Sequence, residues 1–506
     1  MKKYISILVL VTGFNLSQAQ EITDALRFSQ NDMTGTARFR AMSGAFGALG
    51  GDLSAINSNP ASSSIFANNQ FGGTLNISNA TTKTIFFGSN ATEKNAEVDI
   101  NQAGAVFVFN NNSEKNKWNK FAVAINYENL NNFNSNLFYS GRNINSIGNY
   151  FVSYANGVKQ GTLNDFYYDE LTYNEQQAYL GYWAYIINPI PLNSDPLNPD
   201  NPNISQYESN VAPGGNYYQQ NDILSTGYNG KLSFNASAQY DEKLTIGVNI
   251  NSHFTDYTRS SRFYETNFNN TSGSTDYVHT VYFNNDLHTF GNGFSFQVGG
   301  IYKASDLIRL GASYESPTWF RLEDELIQSV RAITGNPTDG DLPADVVNPN
   351  IIMVYPYKLQ TPDKWTISGA LVFGKEGIIS IDYSTKNYGS MQYKSANNDS
   401  AINNQLSTVF TNSTEYRIGF EKKLNQWSLR GGYRFEESPY KDKTRMGDLT
   451  GYSGGFGYNF GATKLDFAYS TAKRNYTDQM FSQGLTDKAF INSKNNNITV
   501  TLAFEL

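Results

Sequence analysis

The chain has 506 residues, 38 Lys and Arg against 45 Asp and Glu, and no cysteine, which excludes disulfides, thiolate metal sites and lipid attachment at a lipobox cysteine. The acidic balance argues against a nucleic-acid partner. Hydrophobic residues make up only 39% of the chain while aromatics reach 14%, with 34 Tyr, 34 Phe and 42 Gly beside many Asn; short alternating strands with aromatic belts and polar turns produce this mixture, and a disordered chain would be poorer in aromatics.

Residues 1–19 carry Lys2 and Lys3, an apolar run from Tyr4 to Phe14, and then Ser17-Gln18-Ala19-Gln20. This is the layout of a cleaved secretory signal, and the run falls short of the roughly 20 residues of a membrane-spanning helix. Its removal leaves 36 basic against 45 acidic residues. Residues 20–68 do not read as strand. Ile22, Ala25, Leu26 and Phe28 recur at roughly helical spacing, Ala37 to Leu49 is rich in Ala and Gly with Phe39, Met42 and Phe46, and then come Gly50-Gly51-Asp52 and Asn59-Pro60-Ala61. Small residues suit a confined space, and Asn-Pro stops a helix and turns the chain. A periplasmic tail needs neither this apolar content nor this glycine density, so the segment is expected to be a small, partly helical hatch inside a barrel.

From residue 69 the chain alternates. Leu232, Phe234, Ala236, Ala238 and Tyr240 face one way while Lys231, Ser233, Asn235, Ser237 and Gln239 face the other. Leu244, Ile246, Val248 and Ile250 stand against Thr245, Gly247, Asn249 and Asn251, and Ile498, Val500, Leu502, Phe504 and Leu506 against Thr499, Thr501, Ala503 and Glu505. Such segments recur near 70–79, 102–110, 119–128, 228–240, 243–256, 288–303, 306–316, 362–373, 377–387, 413–424, 426–436, 450–461, 463–472 and 495–506, fourteen in all. Short polar turns alternate with long connections, which follow every odd strand, the largest being about 129–227. Short turns at one end and long loops at the other, with an even strand number, define an outer-membrane barrel with both termini in the periplasm. The fold class expected is therefore all-β, a fourteen-stranded antiparallel transmembrane β-barrel. A soluble sandwich or propeller has no reason to keep its long loops at one end and polar residues on the second face of every strand.

A Gly/Ala-rich N-terminal segment with an acidic residue and Asn59-Pro60-Ala61 just before the first strand, together with Thr361-Pro362-Asp363-Lys364-Trp365 leading into Thr366 to Phe373, resembles the FadL/TodX family of outer-membrane transporters for long-chain fatty acids and aromatic hydrocarbons. The resemblance implies capture of an apolar solute by extracellular loops, a hatch that blocks straight-through flow, and sideways release into the bilayer beside a kinked third strand. On that reading Gly50, Gly51, Asp52, Asn59, Pro60 and Ala61 belong to the hatch, and the lumen-facing Ala122, Ala124 and Asn126 mark the strand to examine for a lateral opening; small residues there equally accommodate a hatch. A fatty-acid carboxylate needs a cationic partner in a low-dielectric lumen. Strand parity turns Arg309, Arg417, Arg430 and Arg434 inward, alongside Asp382, Glu421 and Asp466, so scaffolding ion pairs compete with ligand binding for them. Phe166, Tyr167, Tyr168, Tyr179, Tyr182, Trp183 and Tyr185 in the large loop form either an apolar capture groove or the loop's own small core.

No metal motif, phosphate loop or nucleotide signature is present, and no cofactor or catalytic residue is expected. The three histidines, His253, His279 and His288, show no spacing that would hold a catalytic base; haem capture is an alternative use for them. A structural or secretion-associated barrel that binds protein partners is another reading. The partners expected are a hydrophobic small molecule and outer-membrane lipid, with the barrel a monomer.

Overall fold

The computed structural model describes residues 21–111, 116–194, 196–270, 273–394 and 399–506, so the expected signal peptide lies outside the described residues. Fourteen antiparallel strands close a barrel: β1 (Gln70–Phe86), β2 (Ser89–Asn110), β3 (Trp118–Asn132), β4 (Tyr217–Tyr240), β5 (Leu244–Thr266), β6 (Tyr277–Lys303), β7 (Ile308–Glu315), β8 (Lys364–Phe373), β9 (Gly377–Asn387), β10 (Asn412–Leu424), β11 (Trp427–Glu436), β12 (Leu449–Asn459), β13 (Thr463–Gln479) and β14 (Lys488–Glu505). Each pairs with the next, and β14 pairs with β1 from Gln70↔Glu505 to Ile85↔Phe490, which closes the sheet on itself.

The alternation read from the sequence is the wall's two faces. Phe234, Ile246, Val248, Ile250, Ile498, Val500 and Leu502 are exposed on the outside, while Ser233, Asn235, Asn249, Asn251, Thr499 and Thr501 are buried inside. Aromatic rings border the apolar belt, with Trp118 on Tyr240 and Trp427 on Tyr458 near the short-turn end and Tyr314 on Trp365, Tyr383 on Tyr416 and Tyr433 on Tyr452 above it. Amphipathic rings collect at the two edges of a bilayer in this way.

The structure departs from the sequence reading where strands outgrow the belt. A tilted strand crosses a bilayer in about 9–11 residues, yet β5 and β6 run to 23 and 27. The connection after β1, expected to be long, is the two-residue turn Phe87-Gly88, with φ of 45° and 83°, because β1 and β2 extend to meet it. The expected loop 129–227 contains a continuation of β3, Ser135–Asn143, and the upper half of β4. The stretch between β7 and β8 holds two long further strand segments, Trp319–Asn336 and Met353–Gln360, besides the short Gly340–Asp341 and Asp345–Val347. The two long segments prolong β7 and β8 across paired breaks at Ser316-Pro317-Thr318 and Thr361-Pro362-Asp363, where the Thr318 N–H donates to Thr361 Oγ1 at 2.9 Å and the Thr361 N–H to the Thr318 carbonyl at 3.0 Å.

Residues 21–69 make a circuit of the inner wall. Helix α1 (Ile22–Ser29) puts Ala25, Leu26 and Phe28 against Phe320, Leu322, Tyr357 and Tyr393, under the loop helix Ser400–Val409. The chain then drops past β3 and β2, forms α2 (Ala37–Ala41) against β12 and β13, crosses β10 and β9, and returns through α3 (Ala55–Ser58) and a 3₁₀ turn (Pro60–Ile65) against β4 and β5. Three small apolar clusters seat it, around Phe39, Met42 and Phe46, around Leu53, Ile56 and Phe66, and around Ala37 and Ala41. Glu21, the first described residue, lies inside the barrel near the long loops, its carbonyl accepting from Tyr393 Oη at 2.7 Å. Leu506 lies at the short-turn rim, its N–H on the Asn69 carbonyl at 3.0 Å.

Candidate functional site: a seam between β2 and β3 closed by the N-terminal segment

Backbone pairing between β2 and β3 covers only Gln102↔Glu128 to Asn110↔Lys120. Above it, β2 continues to pair with β1 and β3 with β4, so the neighbours part from one another while each keeps its other partner. Both strands are irregular where they part. The β1–β2 register shifts between Thr74 and Leu75, leaving Asn101 as the extra residue, and the β3–β4 register shifts between Asn129 and Asn131, leaving Leu130. A bulge bends its strand and ends pairing, and its sequence trace is a lapse of alternation: Glu128, Asn129, Leu130 and Asn131 are all buried in a row.

Side chains bridge the seam above this point. Asn129 Nδ2 donates to Asp99 Oδ2 at 3.1 Å, Asn132 Nδ2 to Glu97 Oε2 at 2.9 Å, Asn134 Nδ2 to Glu97 Oε1, and Asn95 Nδ2 to the Asn134 carbonyl at 3.1 Å. The N-terminal segment joins both sides: the Asp32 N–H takes the Leu130 carbonyl at 2.9 Å, and the Gly35 N–H takes Asn101 Oδ1 at 2.8 Å. It thus replaces part of the ladder that β2 gives up. Outward on β2 at this height stand Val98 and Ile100, 66% and 60% exposed, so the seam opens at the level of the apolar belt.

Behind the seam lies a cavity of about 300 Å³ lined by Asp32, Thr34, Arg40, Asp99, Asn129 and Arg434, among others. Its character is polar. Arg40 is buried, donates to Asn101 Oδ1 and Ser470 Oγ at 3.3 Å each, and has no partner for Nε; Arg434 Nε also lacks one, as do Asp99 Oδ1 and Asn129 Oδ1. Burial pulls Arg40 down to about 10 against the opposing pull of Asp99 and Asp32. Buried polar atoms are nearly always satisfied, so a cluster of unsatisfied ones around two guanidinium groups marks a place suited to a polar guest. A second depression, of about 720 Å³ and apolar, lies on the outer face of β3 to β8, at the height of Phe121 and below the seam.

The residues singled out from the sequence fall into three groups. Asn59 is fully buried; its Nδ2 reaches the carbonyls of Gly47 at 2.8 Å and Gly300 at 3.0 Å, and its Oδ1 accepts from the Ala61 N–H at 3.1 Å. Pro60 opens the 3₁₀ turn, where a missing N–H costs nothing. Gly50 and Gly51, both at φ +66°, turn the chain back, and Asp52 accepts from Thr36 Oγ1 at 2.8 Å and the Ser54 N–H at 2.9 Å. Ala122, Ala124 and Asn126 sit below the seam, where β3 is paired on both edges; the two alanines pack on Leu53, Ile56 and Phe66, and Asn126 accepts from Gln102 Nε2.

Three of the four arginines are occupied. Arg309 donates to the Leu49 carbonyl at 3.0 Å, Arg417 pairs with Glu415 at 2.6 Å, and Arg430 bridges Glu421 at 2.6 Å and Asp466 at 2.5 Å, with Arg38 of the N-terminal segment on Glu421 at 2.9 Å. Only Arg434 faces the cavity. Of the loop aromatics, Tyr168 is buried and Tyr179 and Tyr182 pack on the loop core, while Phe166, Tyr167, Trp183 and Tyr185 are exposed. The histidines are used one at a time: His253 on Ser295, His279 on Asp341, His288 on Glu325.

Sequence reasoning passed over Glu97, Asp99, Asn101, Asn129 and Arg40. The available signal was the four Asn among residues 129–134, Asn129, Asn131, Asn132 and Asn134, too polar on both faces for a lipid-facing strand. It also passed over glycines at lumen-facing positions. A Cβ on Gly247 would stand 2.4 Å from the Pro60 carbonyl group, on Gly299 2.2 Å from Asn59 Oδ1, and on Gly311 2.2 Å from the Gly47 carbonyl oxygen, so the wall is bare where the inner segment touches it.

Residues 204–503 match the family model described as "Outer membrane protein transport protein (OMPP1/FadL/TodX)". The chain belongs to this family. Family members are outer-membrane barrels of Gram-negative bacteria that carry hydrophobic molecules. No curated protein matches the sequence. Among solved structures, a FadL homologue of Pseudomonas aeruginosa is similar at a TM-score of 0.55 and 12% identity, over 94% of this chain and 99% of that one. The toluene transporter TodX of Pseudomonas putida is similar at 0.50 and 15%, over 94% and 100%. At such identities the FadL/TodX likeness speaks for the fold alone.

Proposed function

We propose that this FadL/TodX-family barrel carries long-chain fatty acids across the outer membrane, with residues 21–69 as the hatch and the seam between β2 and β3 as the lateral exit. The observation that carries this reading is the end of β2–β3 pairing at Gln102↔Glu128, at the height of the lipid-facing Val98 and Ile100, with Asp32 and Gly35 strung across the gap. Backbone groups cannot face hydrocarbon unpaired, so movement of the segment must be matched by rearrangement at the seam; that coupling is what a gate requires. The polar cavity supports an amphipathic solute over a plain hydrocarbon. Its carboxylate would be met by Arg40 and Arg434 through charge-assisted hydrogen bonds, while the tail passes between the strands into lipid. Phe166, Tyr167 and Trp183 offer exposed aromatic surface for capture at the long-loop end.

The absence of native cysteine makes the test clean. The double variant Asp99→Cys/Asn129→Cys, bridged by a short thiol-reactive crosslinker, is expected to abolish oleate uptake by cells that depend on this barrel, and uptake should return when a cleavable crosslinker is cut. Arg40→Gln/Arg434→Gln should impair oleate uptake and spare toluene entry. Undiminished oleate uptake through the crosslinked barrel would sink the lateral exit, and equal loss of oleate and toluene in the arginine variant would sink the carboxylate assignment.

A further inference from the structure

Above the apolar belt, on the outer face of β13, β14, β1 and β2, the registers place lysines side by side. Lys473 of β13 stands directly opposite Lys494 of β14, Lys494 opposite Thr81 of β1, and Thr81 opposite Lys94 of β2; Lys83 follows two residues further up β1. They share a face with the lipid-facing Tyr469, Ile498, Ile77 and Val98. Lys473, Lys494 and Lys94 each lie four residues beyond the last of these on their strand, a rise of about 13 Å along the strand and about 10 Å along the axis at the usual tilt. That is headgroup height.

Like charges directly opposite one another destabilise a sheet, and no carboxylate among the described residues pairs with Lys83, Lys94, Lys473 or Lys494. The three acids of the nearby loop are taken: Glu437 accepts from the Thr414 N–H and hydroxyl, Asp442 from the Thr444 N–H and hydroxyl, and Asp448 pairs with Lys443 at 3.0 Å. That loop overhangs the row, and with Lys83, Lys473, Asn492, Lys494 and Phe490 it encloses a groove of about 1060 Å³. We propose that this groove is a binding site for the phosphorylated headgroup of an outer-leaflet glycolipid of the lipid A type, whose phosphates neutralise the lysine row while Phe490 and Ile85, above that row, pack on its sugars. Several Lys at membrane height attract anionic lipid, and a phosphate offers the acceptors that adjacent ammonium groups lack here. Two observations favour a membrane lipid over a free anion: the groove lies outside the wall rather than in the lumen, and Lys473 and Lys494 on its lower side stand four residues above the lipid-facing Tyr469 and Ile498.

The test uses purified full-length barrel in detergent, with diphosphoryl lipid A, its dephosphorylated form and inorganic phosphate as probes, read by native mass spectrometry. Lys473→Gln/Lys494→Gln is expected to weaken diphosphoryl lipid A binding about tenfold or more, as loss of hydrogen bonds to a charged group implies. Lys473→Arg/Lys494→Arg should retain binding, and Lys375→Gln, on a short turn at the opposite end, should match wild type. Dephosphorylated lipid should bind weakly to all of them. Wild-type affinity in the double Gln variant, or equal binding of the dephosphorylated lipid, overturns the assignment. If millimolar inorganic phosphate strips the lipid, the site recognises a free anion and the lipid reading falls. Retained mobility of the unheated barrel on gels verifies that each variant is folded.

Discussion

Gly311→Ala is a one-methyl perturbation aimed at the inner segment and not at the wall. Its Cβ would fall 2.2 Å from the Gly47 carbonyl oxygen and 3.0 Å from Ala48 Cα, where ordinary contact begins at 3.4 Å. The segment must therefore retreat by about 1 Å at a point where it has no flexible side chain to yield. Retreat also stretches the 2.8 Å bond from Asn59 Nδ2 to the same carbonyl. Overpacking of this kind costs about 1–3 kcal/mol, which at 1.4 kcal/mol per decade raises the population of displaced segment by roughly 5- to 150-fold. The strand itself suffers nothing, since β7 keeps its pairing with β6 and β8 on both sides of Gly311. Single-channel recording in planar bilayers should show open events that much more frequent, and hydrogen exchange should show lost protection over residues 44–61. Gly73→Ala, whose Cβ meets nothing within 4 Å, should behave as wild type. Wild-type gating and wild-type protection in Gly311→Ala would refute the claim that close approach to bare glycine holds the segment in place.

Asn59→Ala removes the cap of the 3₁₀ turn and leaves the Gly47 carbonyl and Ala61 N–H without their partner, a loss of about 2–4 kcal/mol in the seating of the segment, again read as channel opening with an unchanged barrel on gels. Arg430→Met strands the buried Asp466 and removes one of the two cations on Glu421, and should lower the unfolding temperature more than Arg38→Met, which removes only the other cation on Glu421. Burial raises the carboxyl of Asp52 above its ordinary value, against the pull of Arg38. A group whose folded value is raised gives its stabilisation below the unfolded value and loses it as pH climbs through the folded one, so spontaneous opening should grow rarer as pH is lowered through the raised value of Asp52. Asp52→Asn should remove that difference, and a pH response unchanged in this variant would assign it elsewhere.

How much was legible follows from where the information is stored. The strand periodicity is local: a side chain of β4 or β14 faces lipid or lumen by its own parity, and the alternation of Phe234, Ala236 and Ala238 with Ser233, Asn235 and Ser237 says so without any neighbour. Strand length was not legible, because above the belt both faces of β4, β5 and β6 are polar and the alternation that announces a strand fades. The turn at Phe87-Gly88 was missed for that reason, and the long segment Trp319–Asn336 because its alternation is inverted, with Phe320, Leu322 and Val330 buried and Arg321 and Arg331 exposed.

The sequence by itself determined the fourteen-stranded barrel, its face-by-face chemistry and the presence of a small-residue segment ahead of it, since each rests on spacing within one stretch of chain. Only the tertiary structure decided that β2 and β3 part at Gln102 and Glu128, that Asp32 and Gly35 close the gap, that Arg434 alone of the four arginines faces the cavity, and that Lys473, Lys494 and Lys94 share a row. These depend on the register between strands far apart in sequence, and a shift of one residue turns every side chain to the other face.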